Sequence, residues 1–205
     1  MTLDCFFDFA CPYSLLSVHR LLTHPGFASH PVAWHPVDVE AVKRGAGNDG
    51  PPLGDLPQKA RYVREDVARW ARRDGISDLQ PPVAFARALN AGVFLARQRG
   101  IERDYLRAVL RNCAPGSIDP NGDFLNLVCS RLSWPAGSLI DYSRSAEAEC
   151  QLHDCLARAR AAGVFGTPTF VLHGELWWGN DRLDQVAERM RIEESATAIS
   201  ALSSN

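Results

Sequence analysis

The residues best suited to chemistry lie near the start of the chain, in Phe6-Phe7-Asp8-Phe9-Ala10-Cys11-Pro12-Tyr13-Ser14. Leu3 to Phe9 is apolar enough for a buried strand. Tyr13 to Leu22 has the apolar spacing of a helix, so Cys11 falls at a strand-to-helix turn. Backbone N–H groups at a helix start are unpaired and carry partial positive charge. Such a turn favours a thiolate nucleophile, and it would hold the thiolate of a bound thiol cofactor equally well. The turn therefore predicts sulfur chemistry and leaves open whose sulfur reacts. No second cysteine completes a C-x-x-C pair, because Ser14 stands in its place.

Thr167-Pro168 is the second feature. A proline directly before a strand donates no ladder bond and often serves as a turn device. Either an ordinary trans edge-strand proline or a cis bond fits it; together with the Cys11 turn, cis is the expectation. A cis bond would turn the Thr167 backbone outward, where it can pair with an extended peptide. Gly179-Asn180-Asp181-Arg182 opens the last helix. Its N–H groups suit a carboxylate, and Asp181 can accept from an ammonium, although the same residues make an ordinary N-cap. Lys59, just before a helix, gains nothing from the helix dipole and is either solvated or held for a ligand. Asn48, in a glycine- and proline-rich loop, is either a ligand contact or turn chemistry alone.

These residues need a frame. Residues 2 to about 38 read as strand, helix, strand (Leu3–Phe9, Tyr13–Leu22, Val32–Val37), a βαβ unit. From about 41 to 144 the pattern is helical: Arg61–Arg73, Ala84–Arg99, Arg103–Cys113 and Phe124–Leu132. Turns such as Asn48-Asp49-Gly50-Pro51-Pro52 and Asp119-Pro120-Asn121-Gly122 separate them. The third section has a helix over Ala146–Ala162, a strand after Thr167-Pro168, a His173-Gly174-Glu175 turn, a strand at Leu176-Trp177-Trp178 and a helix over Arg182–Met190. Ser195 to Asn205 reads as a loosely held tail. Neither end can close a sheet alone, so the two ends should pair. The expected fold is α/β: a discontinuous thioredoxin-like domain (1–40 and 145–195), a large all-helical insertion (41–144) covering the Cys11 turn, and a flexible tail (196–205).

Composition narrows the function classes. The 205 residues are 46% hydrophobic and 22% charged, which is ordinary for a soluble globular protein. The net charge of −2 gives no ground for nucleic acid or an anionic membrane as partner. No segment has the length and purity of a membrane span. Asp4 and Asp8 interrupt any signal-like apolar run, so a cytoplasmic location is expected. There the six cysteines would be free thiols. Cys5, Cys113 and Cys129 read as small buried hydrophobes. Cys150-x-x-His153-x-Cys155 lacks a fourth ligand and common direction on a helix, so no metal is expected.

The matches to one family run in order along nearly the whole chain. Phe7-Asp8-Phe9-Ala10-Cys11-Pro12-Tyr13-Ser14, Gly47-Asn48, Leu56-Pro57-x-Lys59, Asp66 with Arg69-Trp70-Ala71, Gly163-Val164-Phe165-Gly166-Thr167-Pro168-Thr169-Phe170 and Trp177-Trp178-Gly179-Asn180-Asp181-Arg182-Leu183 resemble 2-hydroxychromene-2-carboxylate isomerases and kappa-class glutathione transferases. The resemblance implies a thioredoxin-like domain of the DsbA and kappa-class type, interrupted by helices, with glutathione bound between. It implies that Cys11 meets the glutathione sulfur, that Asn48 and Lys59 reach the peptide, that Thr167 before cis Pro168 pairs with its backbone, and that Asn180 and Asp181 hold its γ-glutamyl end. Tyr62, Trp177 and Trp178 are read as walls for a small aromatic ketoacid or as core rings. A homodimer and a place in naphthalene-type aromatic breakdown are implied as well. Family members usually carry serine at the position of Cys11. That departure leaves a monothiol disulfide oxidoreductase and a kappa-like transferase as alternatives to a glutathione-dependent isomerase.

Overall fold

Four buried residues, Leu3, Cys5, Phe6 and Phe7, crowd the first strand, β1 (Leu3–Phe7). Side chains alternate across a strand, so β1 is covered on both faces. In this computed structural model residues 1–28, 30–76, 79–114, 116, 118 and 123–202 are described, 28 and 196–202 as backbone only. After β1 the chain runs through α1 (Pro12–Thr23), α2 (Pro25–Ala28), β2 (Val32–Pro36), α3 (Val39–Gly45), α4 (Pro57–Arg73), α5 (Ala86–Gln98), α6 (Glu102–Arg111), α7 (Asp123–Arg131), α8 (Ser138–Ser143), α9 (Ala146–Ala161), β3 (Thr169–Leu172), β4 (Glu175–Trp178) and α10 (Leu183–Leu202).

The two ends of the chain do pair. β1 lies parallel to β2, with Leu3 opposite Val32. On its other side β1 is antiparallel to β3, with Asp4 opposite Val171 and Cys5 opposite Phe170. β3 turns back into β4 through His173 and Gly174, at φ 50° and 82°. A two-residue hairpin loop with both φ positive matches the strand twist, which suits glycine at the second position. The sheet order is β2-β1-β3-β4. Leu3, Cys5 and Phe7 pack with Leu15 and Val18 of α1 and with Leu183, Val186 and Met190 of α10. Phe6 faces the other way, onto Val42 of α3 and Cys155 and Ala159 of α9.

The helices between β2 and β3 centre on α5. A Cβ at Gly92 would collide with the Tyr105 ring, so the missing side chain lets α6 pack close and the Tyr105 hydroxyl donate to the Leu89 carbonyl at 2.7 Å. α4 leans back on α1 through Leu16, Val67 and Ala71.

Two expectations need correction. β1 stops at Phe7 instead of Phe9, because the next residues turn: the Asp8 N–H donates to Ser14 Oγ and the Phe9 N–H to Asn90 Oδ1, both at 3.3 Å. α10 runs to Leu202, well past Met190 and into the segment read as a loose tail. Alanine is the strongest helix former, and the alanine-rich run extends a helix already nucleated. The short α2, α3 and α8 were not separately foreseen. Residues 203–205 and the Asp119-Pro120-Asn121-Gly122 turn lie outside the described residues. Among the described residues no helix is long and apolar enough to cross a membrane.

Candidate active site

Cys11 is the N-cap of α1 and Pro12 the first helical residue. Proline fits there because its fixed φ is already helical and an N–H at that position would have no partner. The N–H groups of Ser14 and Leu15 turn back to the Cys11 carbonyl at 3.0 and 3.2 Å. That leaves the Tyr13 N–H, among the described residues, as the donor of the first turn with no partner. The half-buried Cys11 thiol donates to the Thr167 carbonyl at 3.4 Å.

Asp8 fixes this turn from within. Its Oδ1 accepts from the Ala10 N–H at 3.0 Å and from Asn90 Nδ2 at 2.9 Å, and its Oδ2 accepts from the Val39 N–H at 2.9 Å. One carboxylate thus ties the turn to the starts of α3 and to the middle of α5. Burial pushes the Asp8 carboxyl above the usual carboxylate range, against the pull of these three donors.

The Thr167-Pro168 bond is cis. Both residues line a cleft of about 450 Å³, within the roughly 300–1,000 Å³ typical of small-molecule sites. Gly179, Asn180, Asp181 and Arg182 line it from the β4–α10 junction. The facing wall is α4, through Tyr62, Asp66 and Trp70. Their four-residue spacing puts all three on one helix face. Tyr13 closes the corner, its hydroxyl donating to Asp66 Oδ2 at 2.9 Å. Burial, and then the Asp66 carboxylate, hold the Tyr13 phenol above its ordinary range, so it stays a donor.

The Asn180 end is held by buried polar contacts. Gly179 has φ 110°, and a Cβ there would stand 2.5 Å from Asp181 Oδ1. Only glycine adopts that backbone without strain. Asn180 is 2% exposed and Arg20 5%. Ser17 Oγ donates to Asn180 Oδ1 at 3.1 Å, Arg20 Nη1 to the Asn180 carbonyl at 3.2 Å, and Arg20 Nη2 to Asp184 Oδ1 at 2.5 Å. Yet Asn180 Nδ2 and Thr167 Oγ1 are buried without partners. Buried polar atoms are normally paired. Two orphans on residues of one cleft fit a site for a polar ligand.

The structure thus gathers Thr167, Pro168, Asn180, Asp181, Tyr62 and Trp178 around one cleft; Cys11 is not itself a lining residue and joins the cleft through its bond to the Thr167 carbonyl. It places three expected residues elsewhere. Trp177 is 9% exposed in the main core, whereas Trp178 is 52% exposed on the cleft. Neighbours on a strand face opposite ways, so only one of the pair can be a wall. Trp178 lies close over Gly166, where a Cβ would stand 2.8 Å from its Nε1. Asn48 and Lys59 are exposed and do not line the cleft; Asn48 follows Gly47, whose φ is 77°, and Lys59 sits in the first turn of α4. Reading by sequence assigned no role to Tyr13, Asp66, Trp70 or Arg182. The four-residue repeat Tyr62-Asp66-Trp70 was the available signal for two of them.

Burial accounts for the inner cysteines. It raises the Cys5 and Cys129 thiols, pushes Cys113 up to about 12 and Cys155 up to about 11. All six cysteines are free. Cys155 is buried while Cys150 is exposed, and no metal-holding cluster occurs among the described residues.

Known proteins resemble this chain in sequence and fold. The family described as DSBA-like thioredoxin domain matches over residues 2–191. The 2-hydroxychromene-2-carboxylate isomerase of Pseudomonas sp. (strain C18) is 32% identical over 88% of this chain and 85% of its own. That of Pseudomonas putida is 30% identical over 93% of this chain and 94% of its own. A solved structure of 2-hydroxychromene-2-carboxylate isomerase superposes with a TM-score of 0.84 at 28% identity, covering 97% of this chain and 99% of that one.

Proposed function

The chain belongs to the DSBA-like thioredoxin-domain family and, within it, to the 2-hydroxychromene-2-carboxylate isomerases; from that premise we propose that it interconverts 2-hydroxychromene-2-carboxylate and trans-o-hydroxybenzylidenepyruvate with glutathione as its cofactor. One observation carries the reading. The cleft is lined by Thr167, cis Pro168 and the Asn180-Asp181 turn, with α4 opposite, and the helix-start thiol of Cys11 bonds to the Thr167 carbonyl beside it.

The residues present fit glutathione: the orphaned Thr167 Oγ1 and Asn180 Nδ2 call for polar partners, and the cleft has room for a tripeptide. Thr167 would pair with the peptide backbone, and Asn180 and Asp181 would hold the γ-glutamyl end. Bound there, glutathione supplies a nucleophilic thiol whose reversible addition to the conjugated ketoacid lets the double bond rotate. The chain's own part is to favour the thiolate. The Tyr13 N–H and the positive start of α1 would face that charge, and the Cys11 S–H would turn from the Thr167 carbonyl to donate to it. Tyr62 and Trp178 present rings to an aromatic substrate. Asn48 and Lys59 do not line the cleft, so this scheme assigns them no direct contact.

The same reading places the protein in the cytoplasm, where its free cysteines stay reduced, as a homodimer in the breakdown of naphthalene-type aromatics. Cys11→Ser tests the assignment of the nucleophile. Glutathione-dependent isomerisation, followed by the ultraviolet absorbance of the ketoacid, should survive the change and vanish when glutathione is omitted. Isomerisation lost in the serine variant, or undiminished without glutathione, would overturn the proposal. A disulfide reductase activity abolished by the same change would favour Cys11 as the nucleophile of an oxidoreductase.

A further inference from the structure

We propose that α4 is an electrostatic guide that draws anionic reactants into the cleft. The chain as a whole carries a charge of −2, yet α4 alone bears Lys59, Arg61, Arg64, Arg69, Arg72 and Arg73 against only Glu65 and Asp66. All six cations are exposed. The inference rests on the glutathione reading for the identity of its ligands. Glutathione has two carboxylates and one ammonium, and gains a further negative charge as a thiolate; the ketoacid is also a carboxylate.

Placement makes this more than a solvated face. α4 provides the wall with Tyr62, Asp66 and Trp70. Residues three and four apart share a helix face, so Lys59, Arg69 and Arg73 flank that wall. The Arg69 guanidinium lies 5.5 Å from the centre of the Tyr62 ring, and that of Arg73 lies 4.7 Å from the Trp70 ring. Cation–π contact keeps both charges beside the aromatic wall.

The charge is also poorly balanced. Arg61 has Glu65 at 3.9 Å, Arg69 has Asp66 at 3.3 Å and Arg73 has Asp184 at 3.1 Å. Lys59, Arg64 and Arg72 have no carboxylate at ion-pair distance among the described residues. Helix stability alone argues against this arrangement. Lys59 in the first turn opposes the helix dipole, and Arg69 and Arg73 are like charges four apart. An incoming anion removes that repulsion. Exposed charge acts over about 8–10 Å at ordinary ionic strength and can raise association rates by about tenfold or more.

The test is calorimetric titration of glutathione into the full-length protein, at low salt and at about 0.5 M sodium chloride, where the Debye length shrinks to a few ångströms. Wild-type affinity should fall by about tenfold with salt. Arg64→Gln/Arg72→Gln touches no residue lining the cleft. At low salt it should bind glutathione about threefold more weakly, and at high salt it should match the wild type. Arg158→Gln/Arg160→Gln removes as much charge from α9, which packs on the sheet face away from α1 and α4, and should leave both affinities unchanged. Salt-independent binding, or equal low-salt affinity in the α4 variant and the wild type, would overturn the guide and leave the glutathione reading standing. Absence of glutathione binding at any salt would overturn both.

Discussion

The two walls of the cleft are built by different means. One, at Thr167 and Gly179-Asn180, is buried, shaped by backbone and fastened by Arg20 and Ser17 beneath it. The other is a row of exposed side chains on α4, with Tyr62 58% exposed and Asp66 held across the gap by Tyr13. The residues that form the first wall also hold the sheet end to α1 and α10, so binding and stability are coupled there. α4 is anchored by Val67 and Ala71, with Trp70 packed against them, so Tyr62 is the part of its cleft face that can change with least disturbance to the packing.

Substitutions can break that contrast. Arg20→Met, which keeps the bulk and removes the charge, should have the largest effect. It leaves the Asn180 carbonyl and Asp184 without their donor and Asp74 without its nearby cation, for a loss of about 3 kcal/mol in urea unfolding. A loss under about 1 kcal/mol would show that the buried wall does not depend on its arginine. Gly179→Ala should cost about 2 kcal/mol through its positive φ and the contact with Asp181, and should weaken glutathione binding more than tenfold in calorimetry. Unchanged binding would separate the fold of this wall from its function. Tyr13→Phe cuts the link between the walls and should lower stability by about 1 kcal/mol, with a matching rise in the KM for the ketoacid. Smallest in stability is Tyr62→Ala, expected within about 0.5 kcal/mol of the wild type. Its KM for the ketoacid should rise several-fold while the glutathione Kd holds. A melting temperature that falls along with activity would erase the distinction between the walls.

The buried wall was the more legible in the sequence. Cys11-Pro12, Thr167-Pro168 and Gly179-Asn180-Asp181 each carry a local signal, a proline or glycine at a point where the backbone must turn. The sheet could be inferred because each end of the chain lacked strands to close it. The α4 wall carries no such mark. Tyr62 was read as a wall or a core ring, but Asp66 and Trp70 acquire a role only when α4 lies over α1, and Tyr13 only when Asp66 comes within reach. Trp177 and Trp178 have the same chemistry, and which one is buried follows from the pairing of β4 with β3, with Phe170 opposite Trp177. Phe9 looked like strand because it is apolar; the side chain of Asp8, recruited by Ala10 and Val39, makes the turn. Alanine in the last segment read as loose composition but propagated α10.

The pairing of Asp4 with Val171 has a consequence in time. During synthesis β1 can find β2 early, but its other edge stays open until the chain has been made through β3. Over that interval an apolar strand edge is exposed to whatever else is nearby, a situation in which chaperone capture or mispairing competes with folding. The Cys11 thiol meets its Thr167 partner only at the end of that wait. A chain stalled or cut anywhere before Thr167 therefore carries the Cys11 turn with no cleft beside it, and the pairing of that thiol becomes a property of the finished polypeptide alone.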